Sequence, residues 1–227
     1  MTSFISNNKI FTGNMLKIIA LICMTFDHVG KEFFPDLLWM QIIGRIAFPI
    51  FSFMIAQGCR YTKSRKRYLL TLGIMALVLQ IIYYIFGKSL YMCIFVTFTL
   101  SVSLIYAFDS FIKDKNLKNF VVVLGVLSVI FYLTKILPMT TSFWIDYGFF
   151  GVILPAVIYF CNKKSVKLVL FALMLLLVSL DLGGIQIYSL LSLPLIMVYN
   201  GKRGNLNLKY LFYVYYPLHL AVIYLMR

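Results

Sequence analysis

Nine predominantly apolar runs of 15 to 21 residues, separated by short clusters of charge, glycine, proline and asparagine, take up most of the chain. They are Ile10–Val29, Trp39–Gly58, Tyr68–Phe86, Tyr91–Phe111, Leu117–Leu137, Tyr147–Cys161, Val166–Leu180, Ile185–Tyr199 and Leu208–Met226. A hydrocarbon core about 30 Å thick is crossed by roughly 20 helical residues, with about 17–25 tolerated. The sixth to eighth runs are short for a full span and call for tilt, local thinning or a re-entrant path. Of the 227 residues 62% are apolar and 12% charged, against about 45–50% and about 25% in soluble domains. So few charges cannot cover a water-facing surface, which excludes a soluble fold and, equally, disorder. The reading is all-α: one transmembrane helix bundle over residues 1–227, with about nine helices (eight to ten).

The charges give the orientation. Twenty-one Lys and Arg against seven acids give a net charge of +14. In a soluble chain that excess would suggest nucleic acid; in a membrane chain it is the placement that carries information, and no nucleic-acid partner is expected. Threading the nine runs puts sixteen cations on one side, from Lys9 and Lys17 through Arg60–Arg67 to Lys202, Arg203 and Lys209. Lys31, Arg45, Lys88, Lys135 and Arg227 go to the other side, with five of the seven acids. Cations collect in the cytoplasm, so the N-terminus is expected inside. The opening MTSFISNNKIFTGN lacks the basic region, short apolar core and small-residue cleavage site of a signal peptide, and the first run is expected to stay as a helix. Cys23, Cys59, Cys93 and Cys161 are scattered without a CxxC pair. They read as small packing residues, and with two histidines in the chain no metal is expected.

Ionisable groups inside membrane helices are costly and face the bundle interior or a wet cavity. The first run carries Lys17, Asp27 and His28. Lys17 and His28 are eleven residues apart, about 16 Å of rise and within about 20° of the same direction. Both therefore lie on one face, Lys17 toward the cytoplasm and His28 toward the outside, with Asp27 beside the imidazole. In the second run Gln41, Arg45 and Ser52 recur at helical spacing, and Pro49 frees a carbonyl. Arg45 is either an interfacial anchor or a fixed cation able to hold a carboxylate or an oxyanion.

The loop CRYTKSRKRY, with Arg60, Lys63, Arg65 and Arg67, suits anionic lipid headgroups or a polyphosphorylated cytosolic ligand. YNGKRGN offers Lys202 and Arg203 between glycines that let backbone N–H groups approach an anion. In the last run Tyr215 and His219 share a face beside Pro217, and Asp146 with Tyr147 precede a short helix as a site or as a cap. Gln186, Ser189 and Ser192 read as helix–helix contacts. No GxxxxGK[ST] or GxGxxG occurs.

Taken together, KIIALICMTFDH at Lys17–His28, GRIAFPIFSFMIAQG at Gly44–Gly58, DYG at Asp146–Gly148, YNGKRG at Tyr199–Gly204 and KYLFYVYYPLH at Lys209–His219 resemble the TraX family of bacterial polytopic membrane proteins. The resemblance runs in order across essentially the whole chain. It implies an acetyl-CoA-dependent N-acetyltransferase of the cytoplasmic membrane, associated with the N-terminus of pilin, and kinship with acyltransferase-3 proteins. In the latter the first helix bears an arginine before a histidine; Lys17 and His28 stand at these places, and Gln57 stands where an acid is expected.

On this resemblance His28 is general base or transient acetyl carrier, Asp27 orients it, and Arg45 stabilises the oxyanion or positions the acceptor. Gln41, Tyr215, His219, Asp146 and Tyr147 line the cavity. Lys17, Arg60, Lys63, Arg65, Arg67, Lys202 and Arg203 hold CoA phosphates. The acceptor would be an exported protein, a glycan or a small molecule, and the bilayer lipid is the surrounding partner. The alternative is a non-enzymatic transporter or assembly factor with a Lys/His path.

Overall fold

A computed structural model describes residues 10–87, 90–205 and 208–226. Lys9, Lys88 and Arg227, and the Lys209 side chain, lie outside the described residues. Among those described, each of the nine apolar runs falls on helix. Five helical stretches are long and apolar enough to cross a membrane: Leu38–Tyr61, Arg65–Ile85, Ile94–Lys113, Leu117–Thr140 and Lys164–Leu182. Gly148–Phe160, Gly184–Met197 and Tyr213–Met226 are shorter apolar helices. The chain forms two compact units, one taking in everything up to Met54 and from Gly183 onward, the other Ile55–Leu182.

The first unit is built on α1 (Gly13–Phe33). Thr12 starts it, its hydroxyl accepting from the Met15 N–H at 3.3 Å, as an N-cap should. Two more of the N–H groups that a helix start leaves unpaired are taken by a distant loop. Gly13 donates to the Lys202 carbonyl at 2.8 Å and Asn14 to that of Arg203 at 2.9 Å. Gly204 makes this docking possible. Its φ is +95°, and a Cβ there would meet Thr12 Oγ1 at 3.0 Å.

After α1, α2 (Leu38–Gly44) packs back on it. The approach is close enough that a Cβ on Gly44 would stand 2.3 Å from the Cβ of Asp27. α3 (Ala47–Tyr61) continues the same span after a break at Arg45–Ile46. Pro49 has no N–H for the Arg45 carbonyl, which is a standard cause of such a break.

In the second unit α4 (Arg65–Gly87), α6 (Leu117–Phe131) and α8 (Gly148–Phe160) all pack on α5 (Ile94–Lys113). Between α5 and α8 the Ser101 hydroxyl reaches the Val152 carbonyl at 2.6 Å. α6 runs through one π-turn, Tyr132–Ile136, into α7 (Leu137–Thr140), because Pro138 has no N–H for the Thr134 carbonyl. Two-residue strands β1 (Tyr91–Met92) and β2 (Trp144–Ile145) pair in parallel, and α9 (Lys164–Leu182) packs on α8. Large apolar side chains on α4, α6 and α9, among them Ile74, Leu77, Val121, Leu173 and Leu180, point outward. Surface of this kind is suited to lipid rather than water.

In the first unit the chain after Gly183 forms a 3₁₀ turn over Gly184–Leu191, then α10 (Ser192–Met197), and finally α11 (Lys209–Met226). The 3₁₀ turn packs on α2, and α11 packs on α1.

Candidate functional site

Two polar clusters meet on the C-terminal half of α1, both within the first unit. The first surrounds Asp27, which is 7% exposed. Its Oδ1 accepts from the Arg45 guanidinium, and its Oδ2 accepts from Lys31 Nζ at 2.6 Å, one turn on along the helix. The Asp27–Arg45 bond exists because Gly44 has no side chain in the way. Two more Arg45 N–H groups donate to the Gln41 carbonyl and to Gln186 Oε1, each at 3.3 Å. Gln186 is 2% exposed, and its Nε2 and the buried Ser189 Oγ have no hydrogen-bond partner among the described residues. Three residues per turn in a 3₁₀ helix stack Gln186 and Ser189 on one face. The result is a buried stripe of spare donors beside a fixed cation.

The second cluster joins α1 to α11. His28 Nδ1 and His219 Nε2 are 2.8 Å apart. Their ring centroids are 5.0 Å apart with the planes 20° from parallel, the edge-to-edge geometry of an in-plane hydrogen bond. His219 Nδ1 lies 3.0 Å from the Tyr215 carbonyl, and the Tyr215 hydroxyl is 2.6 Å from Thr25 Oγ1. Thr25 and His28 are three apart on α1, and Tyr215 and His219 four apart on α11, so one face of each helix supplies both contacts. Tyr216 closes the edge, perpendicular to His219 at 5.2 Å.

The structure therefore brings Asp27, His28, Gln41, Arg45, Tyr215 and His219 together. The hydrogen bond that orients the His28 ring runs to His219, while Asp27 is committed to Arg45 and Lys31. Gln186, Lys31 and Thr25 are members that the sequence reading left out. Lys31 and Thr25 are neighbours of Asp27 and His28 at helical spacing, a signal the sequence carries; a glutamine among serines, as at Gln186, fits helix packing equally well.

At the opposite end of α1 the partly buried Lys17 is an electrostatic neighbour of Arg203. The side chains of Lys202 and Arg203 are exposed. The loop is tied to the start of α1 and to its own Asn200. It gives its carbonyls to α1, and Lys202 N–H is taken by Asn200 Oδ1 at 2.8 Å.

The remaining expected residues belong to the second unit. Arg60 caps the end of α8, donating to the Tyr159 and Cys161 carbonyls, and Arg65 pairs with Asp109. Lys63 and Arg67 are exposed. Asp146 Oδ1 accepts from the Tyr91 hydroxyl at 2.5 Å, and its carbonyl accepts from Thr97 at 2.6 Å. Tyr147, with φ of +62°, starts α8. Burial and the Asp146 carboxylate push the Tyr91 phenol above its ordinary range. In that unit these groups clasp β1, α5 and the start of α8.

Fold and site together define a helical membrane protein that buries a carboxylate–guanidinium pair beside two joined imidazoles. The chain belongs to the TraX protein family, whose model matches residues 12–227. It is 43% identical over 63 residues to an uncharacterised protein of Rickettsia prowazekii (strain Madrid E), covering 28% of this chain and 25% of that protein; the match thus spans about a quarter of that relative's length. It is 25% identical to the probable fimbrial assembly protein FimC, serogroup H1, of Dichelobacter nodosus, over 96% of each chain. No solved structure matches the chain significantly.

Proposed function

We propose that the protein transfers an acetyl group from cytosolic acetyl-CoA to an extracytoplasmic amine, first of all the N-terminal amine of a pilin-like or other exported protein. Glycan and small amine acceptors fall within the same chemistry. In this reading the chain crosses the bacterial cytoplasmic membrane nine times with its N-terminus inside. The observation that carries it is the half-buried His28, hydrogen-bonded to His219 and next along α1 to the Asp27–Arg45 pair, in a chain of the TraX family. The full-length similarity to a protein described as a probable fimbrial assembly protein favours the pilin-like acceptor.

The residues fit the donor. Lys17 and Arg203 are neighbouring cations at one end of α1, a pairing of charges suited to phosphate. With the exposed Lys202 they make a phosphate-binding end of α1, about 16 Å of helix from His28. Gln186 Nε2 and Ser189 Oγ are spare donors for amide carbonyls of the pantetheine arm. Lys63 and Arg67 serve phosphate or lipid headgroups; Arg60 and Arg65 hold the second unit together in the same loop.

In the reaction the acceptor nitrogen attacks the thioester carbonyl while His28 takes a proton from it. Arg45, aimed by Asp27 and Gln186, supplies positive charge for the oxyanion. The C–S bond then breaks, and the imidazolium returns its proton to the departing sulfur. One amide forms, one thioester is lost, and no oxidant or metal is consumed.

The test is acetyl-CoA binding and turnover by detergent-purified protein over a panel of amines, peptides and sugars. His28→Ala is expected to bind acetyl-CoA as wild type does and to lose about 10²–10⁴-fold in turnover. A Lys202→Ala/Arg203→Ala double variant is expected to bind poorly. Wild-type protein with neither acetyl-CoA affinity nor turnover would sink the reading, and a non-enzymatic assembly or transport role would replace it.

A further inference from the structure

We infer that the two histidines work as one unit in which His219 is a positioning residue. It fixes His28 in the Nδ1–H tautomer and leaves His28 Nε2 as the bare lone pair. A carbonyl oxygen only accepts, so the contact between His219 Nδ1 and the Tyr215 carbonyl puts a proton on Nδ1. Neutral imidazole carries one N–H, which leaves His219 Nε2 as an acceptor. The 2.8 Å contact between His219 Nε2 and His28 Nδ1 must then be filled by a proton on His28 Nδ1. The order runs Tyr215 C=O, H–Nδ1 His219 Nε2, H–Nδ1 His28, and ends at His28 Nε2.

The opposite order fails on charge. If His28 Nδ1 were the acceptor, His219 would need protons on both nitrogens. That is a cation on a residue 8% exposed, which faces backbone groups of Tyr215 and Tyr216 and a second imidazole. Burying an ion without a counter-charge is the most expensive arrangement available.

The pair is also held rigidly. The Tyr215 ring stacks on His219 at 5.4 Å and 12°, and its hydroxyl ties α11 to Thr25 of α1, one turn before His28. When His28 gains a proton on Nε2, its Nδ1–H bond to His219 becomes charge-assisted and strengthens. His219 thus favours the protonated base without carrying the proton itself. That last role rests on the acetyl-transfer reading; the tautomer does not.

The protein has two histidines, so uniform ¹⁵N-histidine labelling of the full chain in detergent gives two imidazole patterns. Both are expected with Nδ1 protonated and Nε2 bare, the reverse of the form a free side chain favours in water. In His219→Leu the His28 pattern should move to Nε2–H. The same variant should lose acetyl-transfer kcat by about 10²–10⁴-fold, the scale seen when an orienting partner of a catalytic histidine is removed, with KM for acetyl-CoA unchanged. His219→Gln places an amide oxygen where Nε2 was and should restore both the Nδ1–H tautomer and turnover to within about tenfold.

Wild-type His28 found as Nε2–H, or a tautomer unmoved in His219→Leu, overturns the inference. So does a His219→Gln variant with the tautomer restored and turnover still absent, because His219 would then have to move protons or acetyl itself. If the tautomers are as stated and wild type transfers no acetyl group, the histidine unit stands and the functional reading falls.

Discussion

Asp27 holds a buried guanidinium with one oxygen and a half-exposed ammonium with the other, and the two bonds are not of equal worth. The side chains of Arg45 and Asp27 are 13% and 10% exposed, and that of Lys31 is 44% exposed. Removing one partner of a buried pair strands the other, at about 3–5 kcal/mol, whereas an exposed pair contributes about 0–1 kcal/mol. Asp27→Asn should therefore lower the thermal midpoint in detergent sharply and Lys31→Ala barely; the reverse order would show that Arg45 has another counter-charge. Tyr91 gives a pH prediction in the second unit. Its folded-state pKa is raised, so the folded protein keeps the phenol proton while the unfolded chain releases it from about pH 10 upward. Stability should fall above that pH, and Tyr91→Phe should flatten the fall in alkaline melts. Charged and imidazole groups were legible in the sequence because each is costly in an apolar helix and stands out. The partner of His28 was not, since His219 follows 191 positions later and helical periodicity links residues only along one helix.

At the scale of elements, two glycines set how α1 is held. Gly44→Ala would put a methyl into the Asp27 carboxyl; overpacking of this kind costs about 1–3 kcal/mol and should weaken the Asp27–Arg45 pair. Gly204→Ala strains a φ of +95° and crowds Thr12, so amide exchange at Gly13 and Asn14 should speed up while the rest of α1 keeps its protection. Unchanged exchange there would mean that the loop carbonyls do not cap the helix. That each of the nine apolar runs is helical among the described residues was readable from run length and hydropathy alone. Their ends were less so, because ends are decided by caps: Thr12 moves the start of α1 to Gly13, and Pro49 divides the second run into α2 and α3. The pairing of β1 with β2 had no signal at all, for a two-residue strand shows no alternation.

At the scale of the molecule, the charge asymmetry makes a prediction about sides. With Cys161 replaced to lower background, cysteines introduced at Lys66 and Lys202 should react with an impermeant thiol reagent only from the cytoplasm, and one at the exposed Met139 only from outside. Lys202 and Met139 labelled from the same face would break the nine-span threading. The first compact unit gathers residues from both ends of the described chain, a grouping to which hydropathy is blind. That organisation has a consequence for biosynthesis. On the nine-span threading His28 enters the bilayer early, and at about 5–20 residues per second the ribosome needs roughly 10–40 s more to deliver its partner. A nascent chain thus waits in the membrane with an unpartnered imidazole, and any product released before Tyr215 is translated never completes the pair.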